Sequence, residues 1–180
     1  MFFRFDLRTN DNEALYKASL HKKCLPIFIL DDEYANLDTT SDFHLNFLKQ
    51  SLRELSIKLE TFNAKLNYFE GDTVKILNFL ISKFLITTVY SNRIFKDQFF
   101  LKLDSKLSYL FKSLNVKWIQ TDQFGIQINN RKRGTWSRDW KKFSSGKLSI
   151  KPEKSNYIET NKVLLTYNKN NIFDIQLGGE

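Results

Sequence analysis

With one cysteine, two prolines and six glycines in 180 residues, the chain is poor in the residues that staple, kink and tighten a backbone. A lone Cys24 can make neither an internal disulfide nor a four-ligand structural zinc site. It precedes the apolar run Leu25-Pro26-Ile27-Phe28-Ile29-Leu30 and is expected as a packed thiol. Few glycines and prolines argue against an all-β fold built on many tight turns. No apolar run approaches the roughly 18–20 residues that cross a bilayer. The N-terminus opens directly in a strand-like segment, without a basic region followed by an apolar one. A cytoplasmic protein without membrane contact is expected.

Several catalytic and binding motifs are also missing. Neither Gly-x-Gly-x-x-Gly nor Gly-x-x-x-x-Gly-Lys-Ser/Thr occurs, so an autonomous site for nucleotide phosphates is not expected. No Gly-x-Ser-x-Gly elbow supports Ser-His-Asp catalysis. His21 and His44 stand apart from other ligand-type residues at metal-binding spacing, so no metal or acid–base role is assigned to them.

What is present is apolar and aromatic. Hydrophobic residues make up 42% of the chain, with 17 Phe, enough for a real core and against intrinsic disorder. The formal net charge of +8 is concentrated: residues 126–155 hold nine Lys/Arg against Asp139 and Glu153. That local excess of seven suits an anionic or acidic neighbour better than a solvated face.

Apolar runs alternate with helical spacing. Phe2–Leu7, Leu25–Leu30, Leu66–Phe69, Leu85–Tyr90 and Val116–Gln120 read as strands, the second as a run buried on both faces. A helix is expected from Asn12 to Leu20. A longer one, capped by Thr40 or Ser41, turns Phe43, Phe47, Leu48, Leu52, Leu55 and Leu59 inward. Asp72 or Thr73 opens a third helix with Val74, Ile76, Leu77, Leu80 and Ile81 facing the core. Leu103, Leu107, Leu110 and Leu114 mark a fourth. This alternation implies a doubly wound α/β domain with a five-stranded parallel sheet, Rossmann-like, over residues 1–125. A basic, partly helical extension follows over 126–180, with a short helix near Thr135–Phe143.

Ligands of such domains bind outside the carboxyl ends of the strands. The residues expected there are Asp6 and Arg8, Asp31 and Asp32, Glu70 to Asp72, and Ser91 with Asn92. Arg4, Asp6 and Arg8 alternate, and spacing alone favours a structural ion-pair network at a strand end. Asp11 and Asn12 read as turn and helix-cap residues. In the extension, Trp136, Trp140 and Phe143 share one helix face, with Arg138, Lys141 and Lys142 turned away. The aromatics could stack on bases while the cations meet phosphates. Two tryptophans four apart favour instead a linker anchored by inward packing.

The opening Phe2-Phe3-Arg4-Phe5-Asp6-Leu7-Arg8-Thr9-Asn10-Asp11-Asn12-Glu13-Ala14-Leu15 resembles the first strand and turn of the photolyase/cryptochrome family, W-F-R-R-D-L-R-x-x-D-N-x-A-L. Phe5 stands where the family has its second arginine. Leu25–Asp31 is similar to the second strand, and Phe47–Leu55 to the helix F-L-x-x-S-L-x-x-L. Glu70-Gly71-Asp72 resembles the turn after strand three. Gln123–Ile126 with Gly134–Trp140 resembles the interdomain segment, and Leu177-Gly178-Gly179-Glu180 the start of the flavin-binding helical domain.

The resemblance implies an N-terminal domain holding an antenna chromophore (a folate, a deazaflavin or a flavin). Phe3, Arg4, Asp6, Asp31, Glu70, Ser91 and Asn92 are its candidate contacts. Arg131, Lys132, Arg133, Trp136, Arg138 and Trp140 become candidate contacts to nucleic acid or to a second domain. The family's enzymes are DNA photolyases, carbon–carbon lyases in which FAD in the helical domain splits a pyrimidine dimer in DNA. The chain ends where that domain would begin. FAD is therefore expected only with a separate or downstream helical domain, and catalysis by the chain alone is not. A free-standing flavin- or pterin-binding protein and a basic nucleic-acid adaptor are the alternative readings.

Overall fold

The computed structural model describes residues 1–94, 97–123, 133–146 and 152. Arg131, Lys132, Lys147, Lys151, Lys154 and the terminal Leu177-Gly178-Gly179-Glu180 lie outside the described residues. Among those described, no helix is long and apolar enough to cross a membrane.

Alternation at the first two strands sets the layering. In β1 (Phe2–Phe3), Phe2 joins one apolar cluster and Phe3 the opposite one. In β2 (Ile27–Leu30), Ile27 and Ile29 face the side of Phe2, and Phe28 faces that of Phe3. Successive side chains of a strand point to opposite faces, so each face needs its own cover. Helices α1 (Glu13–Ser19) and α3 (Asp42–Glu60) cover the Phe3 face, through Leu15, Leu48, Leu52, Leu55 and Leu59. Helices α4 (Thr73–Phe84) and α5 (Gln98–Ser113) cover the other, with Leu77, Leu80, Leu103, Leu107 and Phe111. Each such fully buried side chain contributes about 1.5–3 kcal/mol relative to exposure. Cys24 is buried in the α1/α3 layer, as its sequence context predicts.

The strands are parallel and form two ladders. One runs β1-β2-β3, with β3 at Asn67–Glu70; the other pairs β4 (Thr88–Asn92) with β5 (Lys117–Thr121). β4 lies beside β1, with Cα atoms of the two within 8 Å. The seam falls where β1 is two residues long instead of the six expected. The backbone N–H of Arg4 donates to the Asp6 carboxylate at 3.0 Å, which turns the chain out of the ladder.

Other differences from the sequence reading have equally local causes. Leu85 begins no strand: it is the left-handed C-cap of α4, with φ of 51°, and it is exposed. The fourth strand accordingly starts at Thr88. A short helix, α2 (Asp32–Ala35), follows β2, too brief to carry a periodic signal. Phe43 and Phe47 do not join the core of α3 and are 84% and 72% exposed. At 100° per residue they sit about 140° and 100° around the helix from Leu48. They belong to a neighbouring stripe, not to the buried one.

Helix α3 also outruns the strands. Its 19 residues span about 28 Å, against roughly 15 Å for a four- or five-residue strand. Burial begins at Leu48, so the first turns project beyond the carboxyl end of β2. Ser41 caps them: its hydroxyl accepts from the His44 N–H while His44 Nδ1 accepts from the Ser41 N–H. The last described helix, α6 (Arg133–Ser144), lies in the basic extension.

Candidate functional site

β1 lies between β2, its ladder partner, and β4 of the other ladder, and the chain leaving it builds a buried polar knot. Asp6 Oδ2 accepts from Asn12 Nδ2 at 3.2 Å and from Asn92 Nδ2. Asn92 Nδ2 also donates to Asn12 Oδ1 at 3.0 Å, and Thr121 Oγ1 donates to Asn92 Oδ1. Asn12 is at the same time the N-cap of α1, its Oδ1 accepting from the Leu15 N–H at 3.0 Å. All four residues are buried, and their polar atoms satisfy one another. The ends of β1, β4 and β5 and the start of α1 are thereby locked together.

The ion-pair network that strand spacing suggested for Arg4, Asp6 and Arg8 does not form: Arg4 meets Asp6 only through its backbone N–H. Its guanidinium crosses to Asp104 of α5, at 2.6 and 3.3 Å, and lies over the Phe100 ring, 5.6 Å from the centroid. Arg8 Nε and Nη2 donate to the Asp11 carbonyl at 3.2 and 3.0 Å. The strand period fails here because the ladder stops at Phe3.

The other sheet-end candidates go to separate tasks. Asp31 caps α2 through the Glu33 N–H, and its second oxygen accepts from the Thr73 N–H at the start of α4, both at 3.0 Å. Glu70 accepts from the Tyr68 hydroxyl at 2.6 Å. Burial, and then that carboxylate, hold the Tyr68 phenol well above its ordinary pKa, so it stays a protonated donor. Ser91 accepts from Trp118 Nε1 at 3.0 Å, and Phe3 is wholly in the core. Of the seven candidates, the structure joins Asp6 to Asn92 by side chains and to Arg4 through the Arg4 backbone N–H, while the Arg4 guanidinium points to Asp104.

A cleft of about 650 Å³ opens at Asp6, past the carboxyl end of β1, where ligands of parallel α/β domains bind. Phe5, Leu7, Tyr34, Phe47 and Leu48 give it apolar and aromatic walls, and the overhanging turns of α3 form one side. Phe5 packs edge-on against Phe28, Tyr34 and Phe100 with its outer part open to the cleft. Thr40 is also in the lining, and its Oγ1 is buried without a hydrogen-bond partner among the described residues. A buried hydroxyl without a partner costs about 1–3 kcal/mol, which a polar ligand atom can recover. A groove of about 820 Å³ beside α5 includes Asp31, but that carboxylate is already occupied by two backbone N–H groups.

Tyr34, Thr40, Phe47, Glu54 and Asp97 are among the cleft residues that sequence reasoning missed. The overhang of α3, whose helical pattern is far longer than the strands beside it, was the available signal for Phe47. In α6, Trp136 and Trp140 stack at 6.3 Å and 17°, and Trp140 meets Phe143 at 6.3 Å. The inward packing expected for the pair is not found: Trp136 is 59% exposed and Trp140 43%. Arg138 is exposed beside Asp139, and Arg133 opens the helix.

The fold has close counterparts among solved structures. An archaeal photolyase from Sulfolobus tokodaii, described with two FAD molecules and an implied novel light-harvesting cofactor, matches at TM-score 0.65 and 22% identity, over 87% of this chain and 37% of that one. A class III photolyase from Agrobacterium tumefaciens matches at 0.70 and 23%, over 88% and 34%. A cryptochrome from Synechocystis matches at 0.70 and 19%, over 89% and 36%. The chain spans a little over a third of the length of these proteins. No curated protein matches it in sequence. The sequence model of the DNA photolyase family, however, matches residues 1–123, the whole of the α/β unit. The chain belongs to the DNA photolyase family and carries the N-terminal α/β domain of photolyases and cryptochromes.

Proposed function

We propose that this domain is a light-harvesting module that holds a flavin-type ring in the cleft above Asp6. The observation that carries the reading is the cleft itself: aromatic walls from Phe5, Tyr34 and Phe47 around the unpartnered Thr40 hydroxyl. Flat aromatic walls suit a planar heterocycle, and one unsatisfied hydroxyl suits its carbonyl or imide edge. The archaeal relative's pair of FAD molecules supports a flavin as the ligand class. On this reading the two ladders are halves of one five-stranded sheet, in the order β3-β2-β1-β4-β5. The domain works in the cytoplasm beside a FAD-binding helical domain that performs the repair of DNA or the blue-light signalling, and it is not catalytic alone.

Equilibrium dialysis against riboflavin tests this. The chain is expected to take up the flavin, and Phe47→Ala to weaken uptake by about tenfold, the worth of one ring–ring contact. Because Phe47 is exposed, the thermal midpoint of the variant should stay where it is. No uptake by the unmodified chain, or equal uptake by the variant, refutes the cleft as a flavin site.

The exposed Trp136–Trp140 stack beside Lys141 and Lys142 supports a second reading, a contact with single-stranded nucleic acid through α6. It predicts oligonucleotide binding that weakens steeply with salt and is lost in Lys141→Glu/Lys142→Glu. Binding indifferent to both changes would rule α6 out as the contact.

A further inference from the structure

The electrostatics of the cleft say more about its ligand than its shape does. Among the described residues, three carboxylates line it, from Asp6, Glu54 and Asp97, against one guanidinium, that of Arg8. Arg8 already directs two of its N–H groups at the Asp11 carbonyl, away from any guest. Two helices begin at the cleft, and a helix N-terminus ordinarily attracts anions. Both are already supplied from within the chain. Asp97, the N-cap of α5, accepts from the Phe100 N–H at 3.2 Å. Ser41 caps α3, and Asp42 adds a carboxylate to its first turn. Among the described residues no glycine lines the cleft, and none of them offers a stretch of bare backbone to cradle a phosphate. The position that resembles a family arginine is Phe5, a ring rather than a cation.

We propose that the cleft selects an uncharged flavin, a ring with a neutral polyol side chain, and discriminates against flavins that carry a phosphate or pyrophosphate. Glu54 and Asp97 are the specificity-determining residues. The inference rests on the cleft being a flavin site. The ring meets Phe5, Tyr34 and Phe47, while Thr39, Thr40 and Ser51 offer hydroxyls to neutral polar groups. A phosphomonoester on the side chain would instead approach the Asp97 carboxylate, which caps α5, and the exposed Glu54 carboxylate, whose one ion pair among the described residues is with Lys58 at 3.9 Å.

The test is a fluorescence-quenching titration of the full chain with riboflavin and with FMN at low ionic strength. Riboflavin is expected to bind at least about fivefold more tightly than FMN, the effect of two like charges at a partly solvated rim. The gap should shrink as salt rises. It should also shrink in Glu54→Gln/Asp97→Asn, in which asparagine preserves the helix cap. FMN binding as tightly as riboflavin, or a preference unmoved by the double substitution, overturns the inference and leaves the flavin site standing. Quenching of neither flavin removes the site itself, and the inference with it.

Discussion

Asp104→Ala is expected to destabilise the domain by about 3–5 kcal/mol, far more than Arg4→Met, which should cost under about 2 kcal/mol. The asymmetry follows from where the two partners sit. The Arg4 side chain is 2% exposed and that of Asp104 23%. Removing the carboxylate strands a permanently charged guanidinium in the core, with only the Phe100 ring for company. Removing the guanidinium leaves a carboxylate that still reaches water and accepts from Gln120 Nε2 at 3.4 Å. Methionine also keeps most of the volume that packs on Phe100. Urea unfolding of both variants, with slopes matching the parent, measures the difference. Equal losses, or a larger one for Arg4→Met, would show that the pair does not carry the burial cost assigned to it.

The second large effect lies at the knot between the strand ends. Asn92→Ala is expected to cost about 3 kcal/mol, because one deletion leaves Asp6 and Thr121 each short of a partner and opens a cavity. Asn92→Asp makes a sharper test. It sets a second carboxyl against Asp6, and two adjoining buried carboxyls cannot both ionise cheaply. The folded pair therefore holds a proton that the unfolded chain releases at neutral pH. By linkage the variant is least stable at neutral pH and regains stability as the medium is acidified toward ordinary carboxyl values. Denaturation midpoints of Asn92→Asp and Asn92→Ala, compared at pH 7 and pH 5, read this directly. A loss in Asn92→Asp that does not lessen relative to Asn92→Ala on acidification would mean that Asp6 is not held as described.

Both sites show what a linear chain does and does not reveal. The alternation Phe2/Phe3 and Ile27/Phe28/Ile29, and the stripe Leu48-Leu52-Leu55-Leu59, are local patterns, and they led to the layers seen. Asn12 as a helix cap is likewise local chemistry. Arg4 and Asp104 are a hundred residues apart, and nothing near either announces the other. The same holds for Asp6 and Asn92, which were legible as strand-end residues but not as partners. Phe43 and Phe47 were misjudged because spacings of three and four residues fit two adjacent stripes equally well. The cleft residues Tyr34 and Thr40 lie in a four-residue helix and a connecting loop, where no periodicity exists to read.

The overhang of α3 divides one helix into two regions under different constraints. From Leu48 onward each turn supplies a leucine that the core cannot lose without a cavity. Before it, the turns carrying Phe43, His44 and Phe47 are exposed or only partly covered and touch the cleft rather than the sheet. Substitutions there can accumulate without bringing the fold toward its unfolding threshold. On the proposed reading, a lineage could thus reshape the aromatic wall that meets the ring by changing a turn and a half of helix, with the scaffold's stability held constant throughout.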